Sequence, residues 1–290
     1  MASASHASSA LEAALVSDTG TERPDNQDFG RHQIIGDTGA LVVLADGVSS
    51  YAGGAMASRM AVESTFRAYH EQSPRLSLGK RLWRAAQQAN IDVYDYSVVV
   101  TELRGMGTTL TAVAIEGGQL AAAHVGDSRL YLVRDGTLTQ LTKDHTVTGD
   151  KVRLGLLSEK RARHHPERST LTRCLGRELI VGLDRFTRRV MPGDTFVLCT
   201  DGLYNALEES EIVHIVKDRD ASSSCRELVD AANQIGTPDN VTVAVIQVTG
   251  TAPPLDGKAA RSSAGVWSRL RNWWRPMEDE AAPRVRLDSC

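Results

Sequence analysis

Four aspartates stand at the ends or turns of apolar, strand-like runs: Asp46 closes ALVVLAD, Asp127 lies inside AAAHVGDSRLYLV, Asp201 follows TFVLCT, and Asp239 precedes NVTVAVIQV. Apolar runs of this length bounded by Asp and Gly read as β-strands. A strand end delivers its side chain to the rim of a sheet, and a carboxylate withdrawn from water there is costly. The usual remedies are a cation, hydrogen bonds or a shifted pKa. The pattern therefore asks for a strand-rich fold whose acids converge, with a shared set of divalent cations as the economical neutraliser.

The strand reading extends to Glu12–Ser17, Ala40–Ala45, Thr109–Ile115, Gln119–Val125, Arg129–Val133, Thr195–Cys199 and Val241–Val248. Turn signals at Glu116-Gly117-Gly118 and Arg134-Asp135-Gly136 make Thr109 to Leu141 a β-meander, so the sheet pairing is antiparallel. Helical periodicity appears at Gly54–Glu71 and Leu78–Tyr96, then again near Glu208–Val216 and Ser222–Ile235. Helices grouped in this way predict layers that cover sheets: an α+β fold, an αββα sandwich of two antiparallel β-sheets flanked by helical layers. Between Thr142 and Gly176 the chain is polar, basic and weakly periodic, which reads as a surface flap with a short helix.

One domain over residues 11–249 and a tail over 250–290 account for all but the first ten of the 290 residues. The tail opens on TAPPLDGKAARSSAG, too poor in apolar residues to pack, and reads as a flexible linker. It ends in a basic stretch where Trp267, Leu270 and Trp274 share a helical face, suited to a membrane surface or a partner's groove. A formal net charge of −3 gives no general pull toward nucleic acid, so no nucleic-acid partner is expected. The four cysteines form no CxxC pair and read as reduced thiols. The first ten residues lack a signal-peptide pattern and no apolar run reaches bilayer length, so a cytoplasmic location is expected.

Carboxylate, carbonyl and water donors suit hard cations, so Mg²⁺ or Mn²⁺ fits this acidic set better than zinc, copper or iron. Asp46 and Asp201 are each followed by Gly, which lets a backbone carbonyl approach the same ion. Arg23 stands five residues before Asp28 in ERPDNQD. Alone it reads as a surface salt bridge, but beside a metal cluster a guanidinium grips a phosphate through two oxygens. Cations, an activated water and such an arginine together make a phosphoester hydrolase.

The ordered series DTGTERPDNQD, LADG, GMGTTL, VGDSRLYLVRDG, LTKDH, HPERSTLTRCLG, LCTDGL and GTPDNVTV resembles the metal-dependent Ser/Thr protein phosphatases of type 2C, particularly their compact bacterial members. The resemblance covers Leu11 to Val248 and implies hydrolysis of phosphoserine and phosphothreonine in proteins by direct attack of a hydroxide bridging two metals. Position by position it implies that Asp46 bridges two core Mn²⁺ or Mg²⁺ ions and that Gly47 offers its main-chain carbonyl. It makes Asp201 and Asp239 the other core ligands, Asp28 the holder of metal-bound waters, Arg23 the phosphate-binding residue and Asp127 a ligand of a third, weaker ion. By the same analogy the partners are phosphorylated proteins, a Ser/Thr kinase and its substrates, in bacterial signalling.

Two positions depart from the family. Val48 stands where eukaryotic members carry a histidine proposed as general acid, and Asn205 stands where an Asp often follows the TDG motif, which reshapes the third-metal site. Those departures keep a rival open: a catalytically weak or inactive phosphoprotein-binding regulatory module on the same fold, with a metal-stabilised scaffold behind it. His164 and His165 sit in the basic flap, as recruiters of an anionic phosphopeptide or as part of a solvated loop. His124 and His145 flank the Asp127 hairpin, each as a structural imidazole, with His145 also open as a proton donor at the rim.

Overall fold

A run such as ALVVLA is apolar at both strand parities, so both of its faces must be covered. The computed structural model, which describes residues 10–48 and 53–250, covers them. Among the described residues ten strands run in chain order: β1 (Leu11–Asp18), β2 (Asp28–Ile35), β3 (Gly39–Asp46), β4 (Leu110–Glu116), β5 (Gln119–Val125), β6 (Arg129–Arg134), β7 (Thr137–Gln140), β8 (Asp184–Arg189), β9 (Thr195–Cys199) and β10 (Val241–Val248). The helices are α1 (Gly54–Glu71), α2 (Leu78–Val99), α3 (Val147–Arg153), α4 (Glu159–Ala162), α5 (Asp201–Tyr204), α6 (Glu209–Val216) and α7 (Ala221–Ile235). Two five-stranded sheets result, ordered β1-β10-β9-β6-β7 and β2-β3-β4-β5-β8, with every pairing antiparallel.

Strand alternation sorts the core into three seams. Ala40, Val42 and Leu44 meet Leu198, Ala244 and Ile246 between the sheets. The opposite parity of β3, Leu41, Val43 and Ala45, packs on α1 and α2 through Phe66, Leu82 and Val93. Val243 and Val245 of β10 pack on α6 and α7 through Ile212, Cys225 and Leu228. The αββα sandwich is thus the observed fold.

The structure differs from the sequence reading at β2, β8, the flap and α5. β2 and β8 escaped it because DFGRHQII and DRFTRR carry solvent-facing Arg, His and Gln, which an edge strand tolerates and a pattern search discounts. The flap holds two short helices rather than one, the first capped by the Thr146 hydroxyl, which accepts from the Gly149 N–H at 3.0 Å. Asp201 opens the one-turn helix α5 instead of a simple turn. Residues 251–290 of the tail predicted over 250–290 lie outside the described residues.

The antiparallel register decides where the acids go. Asp28, at the start of β2, faces Asp46, at the end of β3. Asp127 lies between β5 and β6, Asp201 follows β9, and Asp239 precedes β10. These are the same ends of their sheets, and the Thr200 hydroxyl of one sheet donates to Asp28 Oδ2 of the other at 2.8 Å.

Candidate metal centre

Asp28 is buried, and only one of its oxygens is satisfied. Oδ2 accepts from Thr200, whose own oxygen accepts from the Thr242 N–H at 3.0 Å, while Oδ1 has no hydrogen-bond partner. Burial pushes this carboxyl up to about 7, with the charges of Asp201 and Asp239 adding to it against the Thr200 and Thr242 hydrogen bonds. Asp46 is fixed through its backbone: its N–H donates to Thr109 Oγ1 at 2.9 Å, and its carbonyl accepts from the Thr109 N–H and the Thr108 hydroxyl, both at 2.8 Å. Burial raises its carboxyl well above the usual range, and Asp28, Asp201, Asp127 and Asp239 raise it further. Five acids therefore share one electrostatic neighbourhood.

Gly47 follows in a passage with no room for a side chain. A Cβ there would fall 2.4 Å from the Gly54 backbone and 2.8 Å from the Gln27 carbonyl, so only glycine lets the chain pass. The adjoining Val48 N–H donates to the Gly107 carbonyl at 3.0 Å.

Asp127 is buried in its turn, and its carbonyl accepts from the Tyr204 hydroxyl at 3.1 Å. Burial and the neighbouring Asp201 and Asp144 raise its carboxyl well above normal, against the pull of Arg129. Asp201 is pushed up to about 6 by burial and Asp239, opposed by Arg168, Arg23 and Arg129. Asn205, one helical turn on, donates its amide to Asp201 Oδ2 at 3.2 Å. Asp239 is half-exposed: Oδ1 accepts from the Asn240 N–H and Oδ2 from Arg23 Nη2, both at 2.9 Å. The salt bridge that Arg23 suggested on its own is thus formed, and its partner is one of the predicted ligands. Arg23 also senses Asp201 and Asp46, which sets it on the acidic rim.

The donor set fits a hard divalent cation. It is all oxygen, it holds an orphaned buried carboxylate oxygen, and Asp28, Asp46, Asp127 and Asp201 are raised by burial and by neighbouring acids, a cost that a cation removes. Among the described residues no three His, Cys, Asp or Glu side chains close on a single ion. The reason is visible in the partners: Arg23 holds Asp239, Asn205 holds Asp201, and Thr200 holds Asp28. Mg²⁺ and similar ions keep several waters, which bridge to carboxylates left apart in this way.

His145 does not face the rim. It is fully buried with Nδ1 accepting from the Gly126 N–H at 3.1 Å, so the structural reading of this imidazole is the one the geometry supports. His124 is equally buried, between Thr111 at 2.9 Å and the Lys143 carbonyl at 3.1 Å, and burial pushes it down to about 4, helped by His145. Thr200, Tyr204 and Arg168 join the site without having been singled out in the sequence. For the first two the sole signal was adjacency to Asp201.

Beside the rim, between the flap and α5–α6, lies a cavity of about 740 Å³ walled by Arg129, Arg163, His164, Arg168, Tyr204 and Asn205 among others. No helix among the described residues is long and apolar enough to cross a membrane.

The family model described as protein phosphatase 2C matches residues 22–237. The serine/threonine phosphatase stp of Listeria monocytogenes serotype 4b is 35% identical over 241 residues, which span 82% of this chain and 96% of the relative. The crystal structure of the Mycobacterium tuberculosis serine/threonine phosphatase PstP/Ppp superposes with a TM-score of 0.75 at 34% identity, over 83% of this chain and 99% of that one. The catalytic domain of PstP, crystallised in complex with 2 manganese ions, gives 0.73 at 32% identity over the same shares.

Proposed function

The chain belongs to the protein phosphatase 2C family, and from that premise we propose that its acidic rim is the catalytic centre. The protein is a metal-dependent protein-serine/threonine phosphatase that uses Mn²⁺ or Mg²⁺. The observation that carries the site assignment is the set of five carboxyls gathered from both sheets beside one arginine, four of them, Asp28, Asp46, Asp127 and Asp201, raised by burial and by neighbouring acids.

On this reading Asp46, the Gly47 carbonyl, Asp201 and Asp239 hold two core ions, and Asp127 holds a third. The ions, when bound, supply Lewis-acid activation of water and neutralise phosphate charge. The residues do the rest. Asp28, anchored by Thr200 on one oxygen, keeps the other free to orient a water toward the phosphorus. Arg23 exchanges part of its pairing with Asp239 for two phosphoryl oxygens, and a guanidinium is suited to that because its donors lie in one plane. Val48 offers no proton, so the leaving serine or threonine oxygen takes its proton from water. The cavity beneath the flap, with Arg163, His164 and Arg168 on its walls, receives the polypeptide on either side of the phosphorylated residue.

The same reading assigns catalysis to residues 11–249 and gives 250–290 to a linker and a basic tail that touches a membrane surface or a partner protein. It sets the enzyme in the cytoplasm, opposing a Ser/Thr kinase. The test is hydrolysis of p-nitrophenyl phosphate and of a phosphothreonine peptide with and without Mn²⁺. Chelation should abolish turnover, and Asp46→Asn should lower kcat/KM by about a thousandfold, as expected when several kcal/mol of metal-derived stabilisation is lost. Full activity after exhaustive chelation, or in Asp46→Asn, would refute the assignment.

A further inference from the structure

Asp127 sits at the rim, yet the residue that fixes its turn lies behind it. Gly126 has φ +105°, and a Cβ there would meet Thr109 at 2.6 Å, so the turn depends on glycine and on what holds that glycine's polar groups. Both are held by His145. The Gly126 N–H donates to His145 Nδ1 at 3.1 Å, and the Gly126 carbonyl accepts from the His145 N–H at 2.8 Å. An accepting Nδ1 carries no proton, so the ring proton is on Nε2. Nε2 stands 3.2 Å from Asp184 Oδ2, in ion-pair range although not aligned as a hydrogen bond.

Asp184 is itself held. Arg173 Nη1 donates to its Oδ1 at 3.1 Å and to the Gly182 carbonyl at 2.9 Å. A negative charge beside Nε2 favours the tautomer that leaves Nδ1 free to accept. His124 closes the other side, with ring centroids 4.9 Å apart. The His145 carbonyl accepts from the Thr172 N–H at 2.8 Å, so the same residue also clasps the returning limb of the flap.

We propose that His145 is a positioning residue for Asp127: its Nδ1 lone pair fixes the Gly126 N–H and thereby the direction of the Asp127 carboxylate, with Asp184 and Arg173 holding the imidazole in the required tautomer. The proposal rests on the reading of Asp127 as ligand of a weaker divalent ion. Groups that orient a ligand in this way set metal affinity without touching the metal.

Two substitutions separate positioning from packing. His145→Phe keeps the ring's bulk and removes the acceptor. His145→Asn keeps an acceptor, Oδ1, close to where Nδ1 lies. The readout is Mn²⁺ bound per chain by equilibrium dialysis over a range of free Mn²⁺, with Asp127→Ala as reference.

His145→Phe should leave the tight ions in place and weaken the weakest one about tenfold or more, the usual size for loss of a ligand-orienting partner. His145→Asn should recover most of that loss. Weakest-site affinity unchanged in His145→Phe, while Asp127→Ala removes that site, overturns the positioning role alone. An unaltered binding curve in Asp127→Ala overturns the ligand reading and the proposal with it. Should His145→Phe not fold, Asp184→Asn carries the test, since one amide oxygen cannot serve both Arg173 and Nε2–H. A weakened last site supports the proposal, and an unchanged one sinks it.

Discussion

Asn205 shows how one side chain alters a site without entering the chemistry. Its amide donates to Asp201 Oδ2 where a family member often has an acid, so it quiets a carboxylate that burial has raised to about 6. Asn205→Asp exchanges that donor for a second anion. Without metal the two carboxylates repel and the protein should melt at a lower temperature. With Mn²⁺ the added charge should tighten the weakest site by about tenfold, since charge count sets affinity at such sites. Paired melting curves and a dialysis isotherm measure both, and unchanged Mn²⁺ affinity would show that position 205 is remote from the ions. The acids at 46, 127, 201 and 239 were legible in the sequence because each follows or precedes an apolar run. Asn205's partner was not, because a hydrogen bond across one helical turn leaves no pattern of its own.

At the scale of elements, α2 does more than cover a sheet. Asn90, fully buried on its inner face, donates to the carbonyls of Glu178 and Leu179 at 2.9 and 3.0 Å and accepts from the Gly176 N–H at 2.9 Å. One amide thus satisfies three backbone groups where the flap's returning limb leaves the body. Asn90→Ala should destabilise the protein by about 1–3 kcal/mol, the cost of leaving buried polar groups unpaired, and should quicken protease cleavage between residues 142 and 180. Urea denaturation and limited proteolysis check the two parts, and a loss of less than a few tenths of a kcal/mol would mean water replaces the amide. Helices and central strands were readable because their apolar period is strong. β2, β8 and the second flap helix were not, being short or polar and held by neighbours rather than by a buried face of their own.

For the whole molecule, the raised acids make stability depend on pH and metal together. A carboxyl near 3.9 when unfolded and at about 7 in Asp28, or about 6 in Asp201, binds protons in the folded state that the unfolded chain has released. The stability it contributes is full below pH ~4 and is lost as pH rises toward ~7. His124, pushed down to about 4, acts in the opposite sense between about pH 4 and 6.5, and does so with or without metal. The clean readout is therefore the rise in Tm on adding Mn²⁺, which should grow steadily from pH 5 to pH 7.5. A Tm increment that is flat or shrinks over that range would show that the acids do not exchange protons for metal.

The strand-rich class, the layered α+β architecture and the identity of the acids are written in the linear chain, because apolar period, turn residues and Asp-Gly junctions are local. The chain also carries the family, through eight ordered motifs. Which groups restrain those acids emerges on folding: Arg23 on Asp239, Thr200 on Asp28, Asn205 on Asp201, and His145 behind Asp127. Most of those contacts join residues far apart in the chain. They exist because two antiparallel sheets present the same ends to one rim, where the energy of each charge depends on neighbours brought there by folding.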